Sequence, residues 1–148
     1  YRDWPIEHFE ALCKRVLERW PNAHFLIFGG RLEQSRTAAL AQRLLVHATS
    51  FAGRLALRQS AALMSRLDLY IGVDTGPTHI MGALHRPMIA LYHCYSPSRL
   101  LAPLEHPCCC AIDHPREAQG CGPETPMAEI SVDSVWNKVV QALAEKIR

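Results

Sequence analysis

One stretch of the chain decides its fold: Asp68-Leu69-Tyr70-Ile71-Gly72-Val73-Asp74-Thr75-Gly76-Pro77-Thr78-His79. Its first half is an apolar run that stops at a turn, which indicates a buried strand. The run ends at Asp74, and Pro77 favours the first turn of a following helix. A strand, a tight polar turn and a helix together point free backbone N–H groups at an anion. The stretch therefore predicts a phosphate pocket, with an ordinary helix cap by Asp74 or Thr75 as the alternative.

The residues of this turn suit a phosphate. Thr75 offers a hydroxyl donor, and Gly76 lets a ligand approach the backbone closely. His79 falls on the first turn of the predicted helix, where its ring could donate to a phosphate oxygen. A partly buried histidine tied to the backbone is the alternative for that residue.

Hydrophobic periodicity predicts an alternation of helices and strands over most of the chain. The predicted helices cover residues 5–20, 33–45, 57–67, 77–84 and 131–147, and the predicted strands cover residues 23–28, 46–51, 68–73 and 87–92. The pattern dissolves over residues 93–130, which hold six prolines and are predicted to form an irregular loop. Such an order predicts an α/β domain with a parallel sheet and helices on both faces.

A second polar turn follows the first predicted strand. Gly29 and Gly30 close that strand, and Glu33 begins the next helix. Ligands of parallel sheets bind beyond the carboxyl ends of the strands, so this turn and the one at Asp74 are both candidates. Glu33 could accept hydrogen bonds from ribose hydroxyls, or could simply be a favourable carboxylate at a helix N-terminus. No Walker lysine and no complete glycine-rich dinucleotide motif accompanies Gly29 and Gly30.

Composition narrows the class of protein. The chain has 148 residues, 49% of them hydrophobic and 20% charged, which fits one globular domain with a sizeable core. A net charge of +2 and sparse aromatic residues argue against a nucleic-acid-binding module. No apolar run is long enough to span a bilayer, and no signal peptide precedes the first helix. The six cysteines show no spacing of a zinc site or a disulfide framework, so reduced thiols are expected, with a disulfide or a metal site as the alternative.

Several ordered segments resemble the lipopolysaccharide heptosyltransferases, glycosyltransferase family 9. These segments are Trp4-Pro5, Gly29-Gly30 with Glu33, residues 51–57, residues 67–79 and residues 83–92. The match runs from Tyr1 to about Pro103 and again through the last helix, and it corresponds to the C-terminal, donor-binding half of that family. The resemblance implies the C-terminal half of a GT-B fold, so that residues 1–148 would form a single Rossmann-like domain that binds a nucleotide sugar.

The resemblance also implies an activity. Enzymes of this family transfer heptose from ADP-heptose to the inner core of lipopolysaccharide, usually with inversion and with no metal or other cofactor in the site. Their general base and their acceptor site belong to the N-terminal domain, so no catalytic residue is expected among residues 1–148. The parent enzyme would be cytoplasmic and peripheral at the inner membrane, and it would reach the lipid A–core acceptor through that other domain.

The resemblance assigns substrate-binding roles to eight residues. Asp74, Thr75, Gly76 and Pro77 match the turn that holds the diphosphate and sugar of the donor, and His79 matches the histidine of the same motif. Gly30 and Glu33 are assigned to the nucleoside, because Glu33 matches the acidic residue that binds the adenosine ribose. Arg2 matches a basic position that neutralises the diphosphate.

Two further readings of the sequence stay open. The first is another nucleotide-sugar enzyme of the same architecture, such as a UDP-sugar transferase or epimerase. The second is a non-catalytic Rossmann-like binding or assembly module, in which the polar turns only cap helices.

Overall fold

The computed structural model describes residues 2–116 and 120–146, and helices alternate with strands along most of them. The helices are α1 (Ile6–Arg19), α2 (Gln34–Arg43), α3 (Leu57–Met64), α4 (Gly76–Ala83), α5 (Ser98–Leu101) and α6 (Val132–Lys146). The strands are β1 (Phe25–Ile27), β2 (Ala48–Ser50), β3 (Tyr70–Val73), β4 (Met88–Tyr92) and β5 (Cys109–Asp113). The predicted order of elements is thus confirmed up to β4, with boundaries that differ by a few residues.

All strand pairs in the described residues are parallel, but they form two sheets. β1 pairs with β2, and β3, β4 and β5 pair in that order. The expectation of a parallel α/β fold with helices on both faces is confirmed. A single continuous sheet is not formed, because β1 and β3 lie on opposite sides of an apolar cavity rather than pairing.

The central strand β4 separates two layers of helices. All five of its residues are buried, as expected for a parallel strand covered on both faces. Ile89 and Leu91 pack in the cluster that contains residues of α1 and α6. The alternate residues, Met88, Ala90 and Tyr92, pack in the cluster that contains residues of α3 and α4. Alternation along one strand therefore places a helical layer on each face.

Helices α1 and α6 are held together by specific contacts. The indole N–H of Trp4, just before α1, donates to the carbonyl of Ile130 at 2.8 Å. Arg15 on α1 forms an ion pair with Asp133 on α6. The hydroxyl of Ser131 accepts a hydrogen bond from the backbone N–H of Ser134 at 3.1 Å and so caps α6. The last predicted residue of that helix, 147, lies outside the described residues.

The segment predicted as irregular contains more structure than expected. Residues 109–113 form β5, which extends the sheet beside β4, because Cys109 and Cys110 act as small apolar residues there. Cys94 and Cys121 form a disulfide, so the expectation of reduced thiols is wrong for this pair in the structure. That bond ties the end of β4 to the segment before α6. Among the described helices, none is long and apolar enough to cross a membrane.

Candidate functional site

The turn between β3 and α4 has the geometry that the sequence predicted. Thr75 is the N-cap residue of α4, with extended backbone angles of −147° and 178°, and Gly76 and Pro77 follow as the first helical residues. The first N–H groups of a helix have no partner within it. Thr75 and Gly76 are exposed, and a Cβ added at Gly76 would meet no atom within 4 Å. The helix therefore presents its amino end to open space.

Side chains beneath the turn hold its shape. The carbonyl of Val73 accepts a hydrogen bond from the Thr78 hydroxyl at 2.5 Å and another from the Thr75 hydroxyl at 3.3 Å. Because the Thr78 hydroxyl donates its hydrogen to the Val73 carbonyl, the Tyr70 hydroxyl is the donor to the Thr78 oxygen, at 3.0 Å. Burial raises the pKa of Tyr70 to about 12. Gly72 is required here because a Cβ at that position would collide with the Tyr70 ring and hydroxyl.

Sequence reasoning missed this support. Tyr70 and Thr78 belong to the quoted stretch, but their contact depends on how α4 folds back over β3. The available signal was the two-residue period of the strand, which places Tyr70 and Gly72 on one face.

Asp74 is the buried centre of the site. It is 2% exposed, and its Oδ2 lies 3.0 Å from the Arg2 guanidinium, whose side chain is 42% exposed. Its backbone N–H donates to the Leu91 carbonyl at 3.2 Å. The Nε2 of His79 lies 3.2 Å from the other carboxylate oxygen, Oδ1, but is not aligned for a hydrogen bond. Within the described residues, Oδ1 is therefore a buried acceptor with no hydrogen-bond partner.

This geometry changes the interpretation of two residues. The N-cap residue of α4 is Thr75 and not Asp74, so the alternative in which Asp74 caps the helix is wrong. The Thr75 side chain makes no capping hydrogen bond. Arg2 is not an isolated cation near the turn but the ion-pair partner of Asp74, and it also lies 3.5 Å from the Asp74 carbonyl.

The second turn lies after β1. The backbone N–H of Gly30 donates to Glu33 Oε2 at 2.6 Å, so this carboxylate oxygen shapes its own turn. The carbonyl of Gly29 accepts from the backbone N–H of Gly53 at 2.9 Å. Gly53 has a positive φ of 62°, and a Cβ there would lie 2.9 Å from the Arg31 Cα. These glycines bring the turns after β1 and β2 into close contact, which leaves a groove of about 470 Å³.

The two turns share one end of the sheets. Gly30 and Glu33 from the first, and Thr75 and Pro77 from the second, line the same cavity of about 970 Å³. The structure therefore brings all eight predicted residues to one edge, with Arg2 and His79 meeting at Asp74 and Gly76 beside Thr75. Arg54 lines the groove beside the first turn, and its guanidinium lies 3.4 Å from the Ser50 carbonyl. Whether these residues bind substrate stays a prediction.

One group of side chains in the described residues has the composition of a metal site. The donor atoms of His93, Cys94 and Cys121 all lie within 4.8 Å of one another. The two sulfurs are joined in the disulfide, and His93 is engaged on both ring nitrogens, with the Tyr95 N–H at 3.1 Å and the Thr125 carbonyl at 2.7 Å. The disulfide and the hydrogen bonds of His93 therefore hold the segment after β4 in place.

The chain belongs to glycosyltransferase family 9 (heptosyltransferase), whose family model matches residues 1–126. The resemblance seen in the sequence is thereby confirmed. No curated protein sequence matches the chain.

Three solved structures share the fold. An ADP-heptose lps heptosyltransferase II of E. coli matches with a TM-score of 0.83 and 22% identity, over 99% of this chain and 44% of that one. A glycosyl transferase family 9 protein of Veillonella parvula DSM 2008 matches with a TM-score of 0.79 and 20% identity, over 97% and 43%. The E. coli heptosyltransferase WaaC with ADP matches with a TM-score of 0.78 and 19% identity, over 95% and 40%. The chain thus spans less than half the length of these proteins, and over that length it shares the fold of GT-B glycosyltransferases.

Proposed function

We propose that this chain is the donor-binding part of an inverting heptosyltransferase that uses ADP-heptose in the synthesis of the lipopolysaccharide core. The observation that carries the proposal is the edge at Asp74, where three features lie together: an open helix N-terminus, an arginine, and a buried carboxylate oxygen with no hydrogen-bond partner among the described residues. Family membership supports the transferase class. One of the structurally similar proteins, WaaC of E. coli, was solved with ADP.

The turn at Thr75 and Gly76 would receive the diphosphate. A helix N-terminus favours an anion by about 0.3–1 kcal/mol when exposed and up to about 2 kcal/mol when partly buried. This is too little for catalysis, so the Arg2 guanidinium must add to it as charge grows on the departing ADP. Asp74 fixes that guanidinium at 3.0 Å and thus positions the cation beside the turn. The proposal gives no role to a metal ion.

The carboxylate of Asp74 would also bind the sugar. A carboxylate repels a diphosphate, whereas it accepts hydrogen bonds well from hydroxyl groups. Oδ2 is occupied by Arg2, and Oδ1 is the oxygen without a hydrogen-bond partner among the described residues. We therefore assign Oδ1 to a hydroxyl of the donor sugar, with His79 Nε2 beside it at 3.2 Å.

Glu33 and Gly30 would bind the nucleoside. Glu33 already uses Oε2 on the Gly30 N–H, so the turn is set before a ligand arrives. Its second oxygen is the acceptor that a ribose diol needs. The groove beside this turn, bounded by residues 29–31 and 53–56, offers space next to the ribose.

The remaining parts of the reaction are assigned outside this chain. We place the general base and the acceptor site in the other domain of the parent enzyme, and the acceptor in the lipid A–core region of lipopolysaccharide. The parent enzyme would be cytoplasmic and associate peripherally with the inner membrane. The isolated chain would bind the donor weakly and transfer no sugar.

Calorimetric titration of the chain with ADP-heptose, ADP and UDP tests the proposal. We expect saturable binding of both adenine ligands and at least tenfold weaker binding of UDP. Glu33→Ala removes one charged hydrogen bond, worth about 1.5–3 kcal/mol, and should weaken ADP binding by about tenfold or more. Glu18→Ala, an exposed acidic position on α1, is the matched control and should leave binding unchanged.

The other outcomes discriminate between the alternatives. Equal or tighter binding of UDP would favour a UDP-sugar transferase or epimerase. No saturable binding, together with an Asp74→Ala variant that changes only stability, would favour a non-catalytic module. Sugar transfer by the purified chain alone would contradict the assignment of the base to another domain.

A further inference from the structure

A buried histidine lies beside the disulfide between Cys94 and Cys121. His93 is 1% exposed, and its Nδ1 lies 3.9 Å from Cys94 Sγ. One ligand atom from each of the three side chains lies within 4.8 Å of the other two. A disulfide needs no imidazole next to it, whereas cysteine sulfurs and histidine nitrogens are the ligands that zinc prefers. The arrangement therefore indicates a second use for the two sulfurs.

The backbone partners of His93 determine which ring nitrogen carries the hydrogen. The Thr125 carbonyl, 2.7 Å from Nε2, can only accept, so Nε2 carries it. The backbone N–H of Tyr95, 3.1 Å from Nδ1, can only donate, so Nδ1 has a lone pair. Histidines that bind a metal ion usually donate their other ring N–H to a carbonyl or a carboxylate. His93 thus already has the tautomer and the outer hydrogen bond of a ligand that binds through Nδ1.

The spacing of the donor atoms suits a tetrahedral ion. Zinc bonds of about 2.3 Å to sulfur and about 2.0 Å to nitrogen place a sulfur and a nitrogen ligand roughly 3.5 Å apart, and two sulfurs roughly 3.8 Å apart. The distance of 3.9 Å between Nδ1 and Cys94 Sγ is close to the first value. Once the disulfide is broken, rotation of the two cysteine side chains supplies the second.

The segment that carries Cys121 has contacts that do not depend on the disulfide. The Thr125 hydroxyl accepts a hydrogen bond from the Gly122 N–H at 3.2 Å, and the Thr125 N–H donates to the Gly122 carbonyl at 3.0 Å. Thr125 is 7% exposed, and its carbonyl is the one that accepts from His93. The turn over residues 122–125 is thus attached to the imidazole independently of the sulfurs. Reduction of the disulfide therefore leaves Cys121 close to His93.

We propose that His93, Cys94 and Cys121 bind a zinc ion when the disulfide is reduced. A dithiol reductant gives two electrons and two hydrogens to the sulfurs, whose bond breaks, and it closes to a disulfide itself. Zinc then displaces both protons from the thiols and takes Nδ1 as its third protein ligand. A water molecule fills the fourth position, on the side where Cys121 is only half-buried.

The ion takes over the link that the disulfide makes in the oxidised chain. Both connect the end of β4 to the segment before α6. Disulfides are rare in the cytosol, where thiols are kept reduced, whereas a zinc site persists there and adds to the folding free energy. The inference goes beyond the proposed transferase function and does not rest on nucleotide binding.

Metal titrations of the reduced chain test the proposal. The chain of residues 1–148 is reduced with a phosphine, which leaves no competing thiol, and is titrated in metal-free buffer with Co²⁺ and then with Zn²⁺. We expect one ion per chain, with a sulfur-to-cobalt charge-transfer band and the visible bands of tetrahedral cobalt, and Zn²⁺ should abolish these bands. Zn²⁺ should also raise the melting temperature of the reduced chain. The oxidised chain should show none of these effects.

Single variants separate this site from the other thiols. His93→Gln and Cys94→Ser should each weaken Zn²⁺ binding by roughly 100-fold or more, which exceeds the usual effect of losing an outer partner of a ligand. Cys108→Ser, at an exposed free thiol, is the matched control and should leave the affinity and the cobalt bands unchanged. If His93→Gln does not fold, Cys94→Ser decides, because its disulfide is already broken in the reduced original chain.

Four outcomes would overturn the proposal. These are no binding of either ion by the reduced chain, equal binding by the oxidised chain, unchanged affinity in Cys94→Ser, and loss of binding in Cys108→Ser. The last of these would assign the ion to the cysteines at residues 108–110 instead.

Discussion

We expect Arg2→Gln to destabilise the fold more than Asp74→Asn, although both substitutions break the same ion pair. The asymmetry follows from exposure: the Arg2 side chain is 42% exposed and the Asp74 side chain 3%. A guanidinium that loses its partner can return to water. A buried carboxylate cannot, and Oδ1 of Asp74 already has no hydrogen-bond partner among the described residues.

The magnitudes follow from these exposures. Breaking a fully buried pair by removing one partner costs about 3–5 kcal/mol, which is an upper bound here because Arg2 is partly in water. Leaving a buried acceptor unsatisfied costs about 1–3 kcal/mol, so we expect about 2 kcal/mol for Arg2→Gln. Asp74→Asn keeps the shape and one acceptor oxygen, so we expect about 1 kcal/mol or less.

Urea unfolding of the two single variants and the double variant measures the difference. The double variant should cost less than the sum of the single variants by about 1 kcal/mol, because the second substitution no longer breaks a pair. A larger cost for Asp74→Asn than for Arg2→Gln, or additive costs, would refute the reasoning that Arg2 compensates a buried charge.

Three further predictions concern the frame around the site. Gly72→Ala should destabilise by more than 1 kcal/mol in urea unfolding, since the added methyl collides with Tyr70; an equally stable variant would contradict that contact. The free energy of unfolding should fall by up to about 3 kcal/mol between pH 10 and pH 12, because Tyr70 loses its proton near its ordinary pKa of 10 in the unfolded chain and only near 12 in the folded one. Tyr70→Phe should remove this contribution. A variant with the same pH profile as the original chain would contradict the role given to Tyr70. Replacing Cys94 and Cys121 by serine should lower the free energy of unfolding by about 3–4 kcal/mol under oxidising conditions, because the disulfide closes a loop with a sequence separation of 27. After reduction in metal-free buffer, the same replacement should cost nothing. Equal stability of the original chain with and without reductant would argue against the bond.

The local features of the site could be predicted because they are encoded in neighbouring residues. The apolar run before Asp74 and the position of Pro77 determine where β3 ends and α4 begins. The alternation of periodicities likewise predicted parallel strands with helices on both faces. The pairing of Arg2 with Asp74 could not be predicted from the sequence, because the two residues are 72 positions apart.

The errors have physical causes. β5 was missed because three successive cysteines and the prolines around them gave no strand pattern, whereas their small apolar side chains pair well beside Met88 and Ile89. The link between Cys94 and Cys121 depends on where the chain returns after β5, which spacing alone cannot indicate. The place of Asp74 in the turn favours a helix cap, but its partner Arg2 lies near the start of the chain.

The Val73 carbonyl accepts two hydrogen bonds, and this has a consequence for the kinetics of ligand binding. Because Thr75 and Thr78 both anchor to it, the loop is already ordered, and a ligand need not fix it. Each side chain that is spared immobilisation saves about 0.5–1.5 kcal/mol of association free energy. Encounter should then occur in one kinetic phase, at a rate proportional to ligand concentration, with no slower isomerisation behind it.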